Sequence, residues 1–162
     1  MVKDIIGNLL ETNICHIIVH QANLFHTFGA GLARAILQKF PEAYEADKQT
    51  PHGDASKLGS YSAAKVIDAK GTSIRFIVNL YSQAGLGGNQ RQTSYDAMVD
   101  ALTKLRDKLE ARPDNLTLGI PFQLGCGLAN GDWAIVRNII EVVFGKSRIP
   151  VFIYTLPEMA AK

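Results

Sequence analysis

Two glycine-rich segments, Phe28-Gly29-Ala30-Gly31-Leu32 and Leu124-Gly125-Cys126-Gly127-Leu128, each stand between a strand-length apolar run and a stretch with helical spacing. That position restricts the chain to strand, tight loop and helix in succession, because glycine alone turns sharply without a steric cost. Strand-length runs rich in β-branched residues span Cys15 to Val19, Ile74 to Leu80, Leu116 to Ile120 and Ile149 to Tyr154. Between them, Leu32, Ile36 and Phe40 share a helical face with Ala33 and Leu37 beside it, and Pro41 is expected to end or kink that helix. Tyr95, Met98, Val99, Leu102, Leu105 and Leu109 predict a second helix, with Thr93 and Asp96 spaced as a near capping box. Ile135, Val136, Ile139, Ile140, Val143 and Phe144 predict a third, opened by Asp132 as N-cap and closed by Gly145.

Strands alternating with helices predict a three-layer α/β/α sandwich around a mixed, largely parallel sheet. Ligands of such folds sit beyond the carboxyl ends of the strands, where both glycine loops fall. Gln49 to Ala63 and Ala84 to Gln92 read as loops; the second is either a lid over a ligand or a plain connector.

At 162 residues, 47% hydrophobic and 20% charged, the chain has the size and composition of a single globular domain, residues 1–162. The net charge of +2 comes from basic residues scattered among acidic ones, which excludes nucleic-acid binding through bulk charge. No apolar run approaches the roughly 20 residues that span a bilayer, and Met1-Val2-Lys3-Asp4-Ile5 does not open a signal peptide, so a cytoplasmic location is expected. Cys15 and Cys126 are too few for a disulfide scaffold, and no bridge is predicted.

A helix N-terminus aims unpaired N–H groups and partial positive charge at an anion, so two such loops suit the two ends of one diphosphate. His20-Gln21-Ala22-Asn23 precedes the first loop. The His20 imidazole can activate water or protonate a leaving oxygen, but a histidine closing a buried strand also serves as a structural group bonded to backbone. Asn23 can bond a sugar hydroxyl or cap a turn. His16 and His20, four apart on a strand, lie about 13 Å apart and cannot share a metal, so neither metal nor cofactor is predicted. Cys126 is expected to pack, because a cysteine-phosphatase loop would need an arginine where Asp132 stands. Asp132 is either a helix cap or a second acid or base, and Trp133 is expected to pack under the second glycine loop. Arg34 occupies the third glycine position of a dinucleotide-binding fingerprint, which removes that reading.

In order and spacing, several segments resemble the macro domain family, which binds ADP-ribose. They are Gly7-Asn8-Leu9-Leu10, Ile18 to Asn23, Phe28 to Ala33 with Lys39 to Tyr44, Asn79-Leu80-Tyr81, Gly125 to Leu128 and Phe152 to Leu156. The resemblance covers nearly the whole chain. It implies a cleft in which Asn8 reads the adenine amino group, Tyr154 lies beside the adenine, the glycine loops wrap the diphosphate and Asn23 lies near the distal ribose. The ligand-binding set so implied is Asn8, Leu9, Gln21, Phe28, Gly29, Ala30, Gly31, Leu32, Gly125, Cys126, Gly127, Leu128 and Tyr154. His20, Asn23 and Asp132 are the catalytic candidates. Family members usually carry Asp in place of Asn8, so a charge-assisted bond becomes an amide contact here.

Branches that remove ADP-ribose from glutamate or DNA place an acid after the Gly-Cys-Gly-Leu loop and a lysine near Asn79 to Gln83. This chain has Ala129 and no lysine there. The branch with a run of glycines in the first loop differs at the bulky Leu24 to Phe28. The chain is most similar to the yeast-type ADP-ribose 1''-phosphate phosphatase group, at Gly7-Asn8, His20, Asn23 and Leu86-Gly87-Gly88. There the histidine matching His20 is implicated in catalysis. The implied activity is hydrolysis of ADP-ribose 1''-phosphate to ADP-ribose and phosphate by a monomer. The alternatives are a non-catalytic ADP-ribose reader and a hydrolase of protein-linked or acetylated ADP-ribose.

Overall fold

Ile17, Ile18 and Val19 follow one another with no polar residue between them and are all buried, so their strand must be covered on both faces, as in a parallel sheet. The computed structural model, which describes residues 1–161, supplies that cover. Its six strands are β1 (Val2–Ile6), β2 (Ile17–Ala22), β3 (Tyr61–Ile67), β4 (Ile74–Tyr81), β5 (Leu118–Pro121) and β6 (Val151–Thr155). They lie in the order β1-β6-β5-β2-β4-β3, and every pairing is parallel except β3 with β4. On one face Met98, Leu102 and Leu105 of α3 (Tyr95–Glu110) and Ile140 and Phe144 of α4 (Trp133–Phe144) pack on Val19, Leu80 and Ile120. On the other, Ile36 of α1 (Gly31–Lys39) and Ala43 of α2 (Pro41–Lys48) pack with Phe40 on Ile18 and Ile77. A short α5 (Pro157–Ala160) follows β6. Among the described residues no helix is long and apolar enough to cross a membrane.

The mixed, largely parallel α/β sheet is the one expected from the sequence, with differences at particular elements. β1 and β3 carry no apolar run because they are edge strands, each paired on one side only. β3 takes Tyr61 to Ala63 out of the segment expected to be loop. Pro41 does more than end α1. It occupies the first turn of α2, where its fixed φ and missing N–H cost nothing, and Phe40 forms the joint between the two helices. Asp132 caps α4 by accepting from the Ala134 N–H, and Trp133 meets Phe122 edge-to-face at 5.1 Å in the segment leading to the second glycine loop.

The cap of α3 is Ser94, not Thr93. The Ser94 hydroxyl accepts from the Ala97 N–H, while Thr93 Oγ1 donates to the Gly125 carbonyl. Ser94→Ala should therefore lower unfolding stability by about 1 kcal/mol in urea denaturation. Unchanged stability would return the cap to another residue.

Candidate functional site

β2, β4 and β5 all end at the same sheet edge, and the chain leaving them encloses a cleft of about 500 Å³. The two glycine loops meet there: Gly29, Ala30, Gly31 and Leu32 from one, Gly125, Gly127 and Leu128 from the other. His20, Gln21 and Asn23 line it as well, and among the described residues no Asp, Glu, Lys or Arg does. Any charge held in this cleft is met by dipoles and hydrogen-bonding groups.

The first loop delivers an open helix end. α1 begins at Gly31, whose φ of +57° is left-handed, after Ala30, which has no side chain to cap it. α3 and α4, by contrast, are closed by Ser94 and Asp132. Among the described residues, the first-turn N–H groups of α1 are thus left without a side-chain acceptor beside the cleft. A Cβ added at Gly29 or Gly31 would meet nothing within 4 Å. The second loop is built in the opposite way. At Gly125, φ +72°, a Cβ would fall 2.7 Å from Gln21 Oε1 and 2.9 Å from Thr93 Oγ1, so glycine there lets the loop lie flat on β2. The Gly125 carbonyl also accepts from Thr93 Oγ1 at 2.6 Å and from the Gly131 N–H at 2.9 Å.

His20 is 1% exposed, with Nε2 2.6 Å from Asn79 Oδ1 and its ring edge-to-face with Phe28 at 5.1 Å. Burial pulls the imidazole down to about 4, although the bond to Asn79 opposes this. It is neutral at pH 7, which suits an acceptor and not a proton donor of the imidazolium kind. Asn23 both lines the cleft and ties its own turn: Nδ2 donates to the Thr27 carbonyl and hydroxyl, and Oδ1 accepts from the Phe25 N–H.

Six residues nominated from the sequence do not line the cleft. Phe28 is buried between His20 and Tyr44. Cys126 Sγ donates to the Leu124 carbonyl, and burial, with Asp132 nearby, pushes its thiol up to about 11, so it packs as a protonated group. The Asp132 carboxylate is engaged at the head of α4. Asn8, Leu9 and Tyr154 sit at the same carboxyl edge but beyond β5. Asn8 Oδ1 accepts from the Leu10 N–H, Leu9 is buried, and the Tyr154 hydroxyl is 2.7 Å from Thr12 Oγ1. Tyr154 remains adjacent to the cleft, because the Phe122 N–H donates to its carbonyl and Phe122 lines the cleft, while Gly7, beside Asn8, lies against the Tyr154 ring.

Sequence reasoning did not nominate Thr27, Gln83, Phe122 or Gln123, which also line it. Gln83, Phe122 and Gln123 signal only by position, one or two residues past a strand end, and Thr27 only by standing next to the first glycine segment. Leu86 and Gly87 of the segment expected to be lid or connector do reach the cleft, and Asn130 Nδ2 donates to the Gly88 and Gln90 carbonyls, tying that segment to the end of the second loop. Leu86 and Leu128, 55% and 73% exposed, are among the cleft residues open to solvent.

No family model matches the chain. It is 34% identical over 135 residues to the uncharacterized 17.5 kDa protein in the tk-vs intergenic region of Enterobacteria phage T4, covering 83% of each chain. Among solved structures it is similar to the macrodomain of Thermus aquaticus DarG, with a TM-score of 0.73 and 20% identity over 96% of this chain and 98% of that one. It is also similar to Thermosipho africanus DarTG in complex with ADP-ribose, with a TM-score of 0.74 and 19% identity over 96% of this chain and 42% of that longer one. These two likenesses establish the fold.

Proposed function

We propose that this chain, which belongs to the family of the 17.5 kDa phage T4 protein and has the macrodomain fold, binds ADP-ribose in its cleft and acts on the terminal phosphate of ADP-ribose 1''-phosphate. The observation that carries the reading is the meeting of two glycine loops, one an uncapped helix end, at a single cleft. In this reading the diphosphate lies between Gly29 to Leu32 and Gly125 to Leu128, held by backbone N–H groups. The nucleoside runs past Phe122 toward Asn8 and Tyr154. The distal ribose faces His20 and Asn23. The neutral His20 acts as a hydrogen-bond acceptor that orients a hydroxyl or water, while backbone dipoles hold the phosphate charge. The complex of DarTG with ADP-ribose supports the ligand class.

A second reading, a reader that binds ADP-ribose without chemistry, is favoured by the absence of any Asp, Glu, Lys or Arg among the described residues that line the cleft. Two assays separate the readings. Calorimetry with ADP-ribose is expected to give heat in both. Phosphate release from ADP-ribose 1''-phosphate is expected only in the first, and His20→Ala should slow it by about 100-fold or more, the range of a lost acid–base group. Equal rates would take His20 out of the mechanism. Absence of heat would end both readings.

A further inference from the structure

Behind the cleft runs a hydrogen-bonded chain, buried except for a half-buried serine, in which every donor can be assigned. Asn79, 0% exposed, is placed beside His20 by the parallel register of β2 and β4. Its amide cannot be turned round. One side lies 2.9 Å from the Ala43 carbonyl, which can only accept, so that atom is Nδ2 and Oδ1 faces His20. An oxygen 2.6 Å from His20 Nε2 requires the proton on Nε2.

The same Nδ2 donates to Ser62 Oγ at 3.0 Å, and Ser62 lies 2.8 Å from the Tyr81 hydroxyl. Burial and the Asp47 carboxyl push that hydroxyl up to about 12, so it keeps its one proton and gives it to Asp47 Oδ1 at 2.6 Å. Ser62 must then be the donor to Tyr81. Every proton from His20 through Asn79, Ser62 and Tyr81 points toward Asp47, which is 0% exposed. Aligned donors of this kind polarise one another and fix a single arrangement. At the near end, His20 Nδ1 is left buried with no hydrogen-bond partner among the described residues, on a side chain that lines the cleft.

We propose that Asn79 is a positioning residue for this site: anchored by Ala43 and by the chain ending on Asp47, it holds His20 as the Nε2–H tautomer, so that Nδ1 offers its lone pair to a hydroxyl of the ligand. The identity of that hydroxyl, on the distal ribose, rests on the ADP-ribose reading. The tautomer does not. Asn79 touches no ligand. It acts through His20, and a site built to accept a hydroxyl discriminates against ligands that lack it.

Two measurements test this. Long-range proton–nitrogen correlation spectra of the free wild-type protein should show His20 with a bare Nδ1 and a protonated Nε2. A proton on Nδ1 would overturn the proposal, and this result needs no variant. Calorimetry then compares ADP-ribose with ADP, which has no distal ribose. Asn79→Leu should weaken ADP-ribose by about tenfold, the worth of one hydrogen bond, and leave ADP unchanged. Equal losses for the two ligands, or none for ADP-ribose, would count against a positioning role. If wild-type protein bound neither ligand, the ADP-ribose reading would fall while the spectra still decided the tautomer.

Discussion

Replacing Gly29 by Glu is expected to weaken ADP-ribose binding by at least about 100-fold with little change in stability. Gly29 lies outside the left-handed region, its added Cβ meets nothing within 4 Å, and it lines the cleft. The substitution therefore places a flexible carboxylate in the space assigned to the diphosphate without straining the backbone. Two like charges about 4 Å apart repel by up to ~4 kcal/mol at the effective dielectric of a protein surface, and 100-fold corresponds to ~3 kcal/mol. Gly29→Gln separates bulk from charge and should cost distinctly less. Unfolding stability of both variants should stay within about 1 kcal/mol of wild type. Neither Gly31 nor Gly125 allows so clean a test, because both are left-handed and a side chain there adds about 1–2 kcal/mol of strain. Titration calorimetry beside urea denaturation is the measurement. Unaltered affinity in Gly29→Glu would mean that the anion lies elsewhere.

The second large effect is a pH dependence of folding. His20 titrates near 6.5 in an unfolded chain and at about 4 in the folded one, with burial as the main cause. Its contacts with Asn79 and Phe28 bring no ionisable group against the ring. Because the folded value is the lower one, the unfolded state takes up a proton that the folded state refuses as pH falls below 6.5. Stability is complete above 6.5 and declines toward 4. The loss attributable to His20 is about 2 kcal/mol by pH 5 and about 3 kcal/mol near pH 4. His20→Gln has nothing to titrate there and should lack this part of the slope, while the remaining carboxylates and histidines act equally in both proteins. Urea denaturation at pH 7 and pH 5 decides it. Parallel slopes for the two proteins would show that His20 is not the group responsible.

The same histidine illustrates how far residue types carry an argument. From the sequence it was either a general acid or base or a structural group at the end of a buried strand, and nothing local separates the two. The fold gives it one engaged nitrogen and one without a partner among the described residues, because a β-branched run carries it into the sheet interior beside Asn79 of β4. Asn23 follows the same course, lining the cleft while its amide ties the turn that leads to the first glycine loop.

What the sequence determined by itself is everything set by spacing along the chain. The β-branched runs became the four central or near-central strands, the periodic apolar stretches became α1, α3 and α4, and Asp132 became a cap, since these follow from periodicity and local hydrogen bonding. The glycine loops were legible for the same reason. Only the tertiary structure decided the rest, because it depends on groups far apart in sequence. β1 and β3 exist through pairing at sheet edges. Ser94 caps α3 because Thr93 is drawn to Gly125. Gly125 is required by Gln21 and Thr93 beneath it, and the tautomer of His20 is fixed by a hydrogen-bonded chain that ends on Asp47. No pattern of neighbours along the chain encodes which distant polar atoms will face one another once water is excluded.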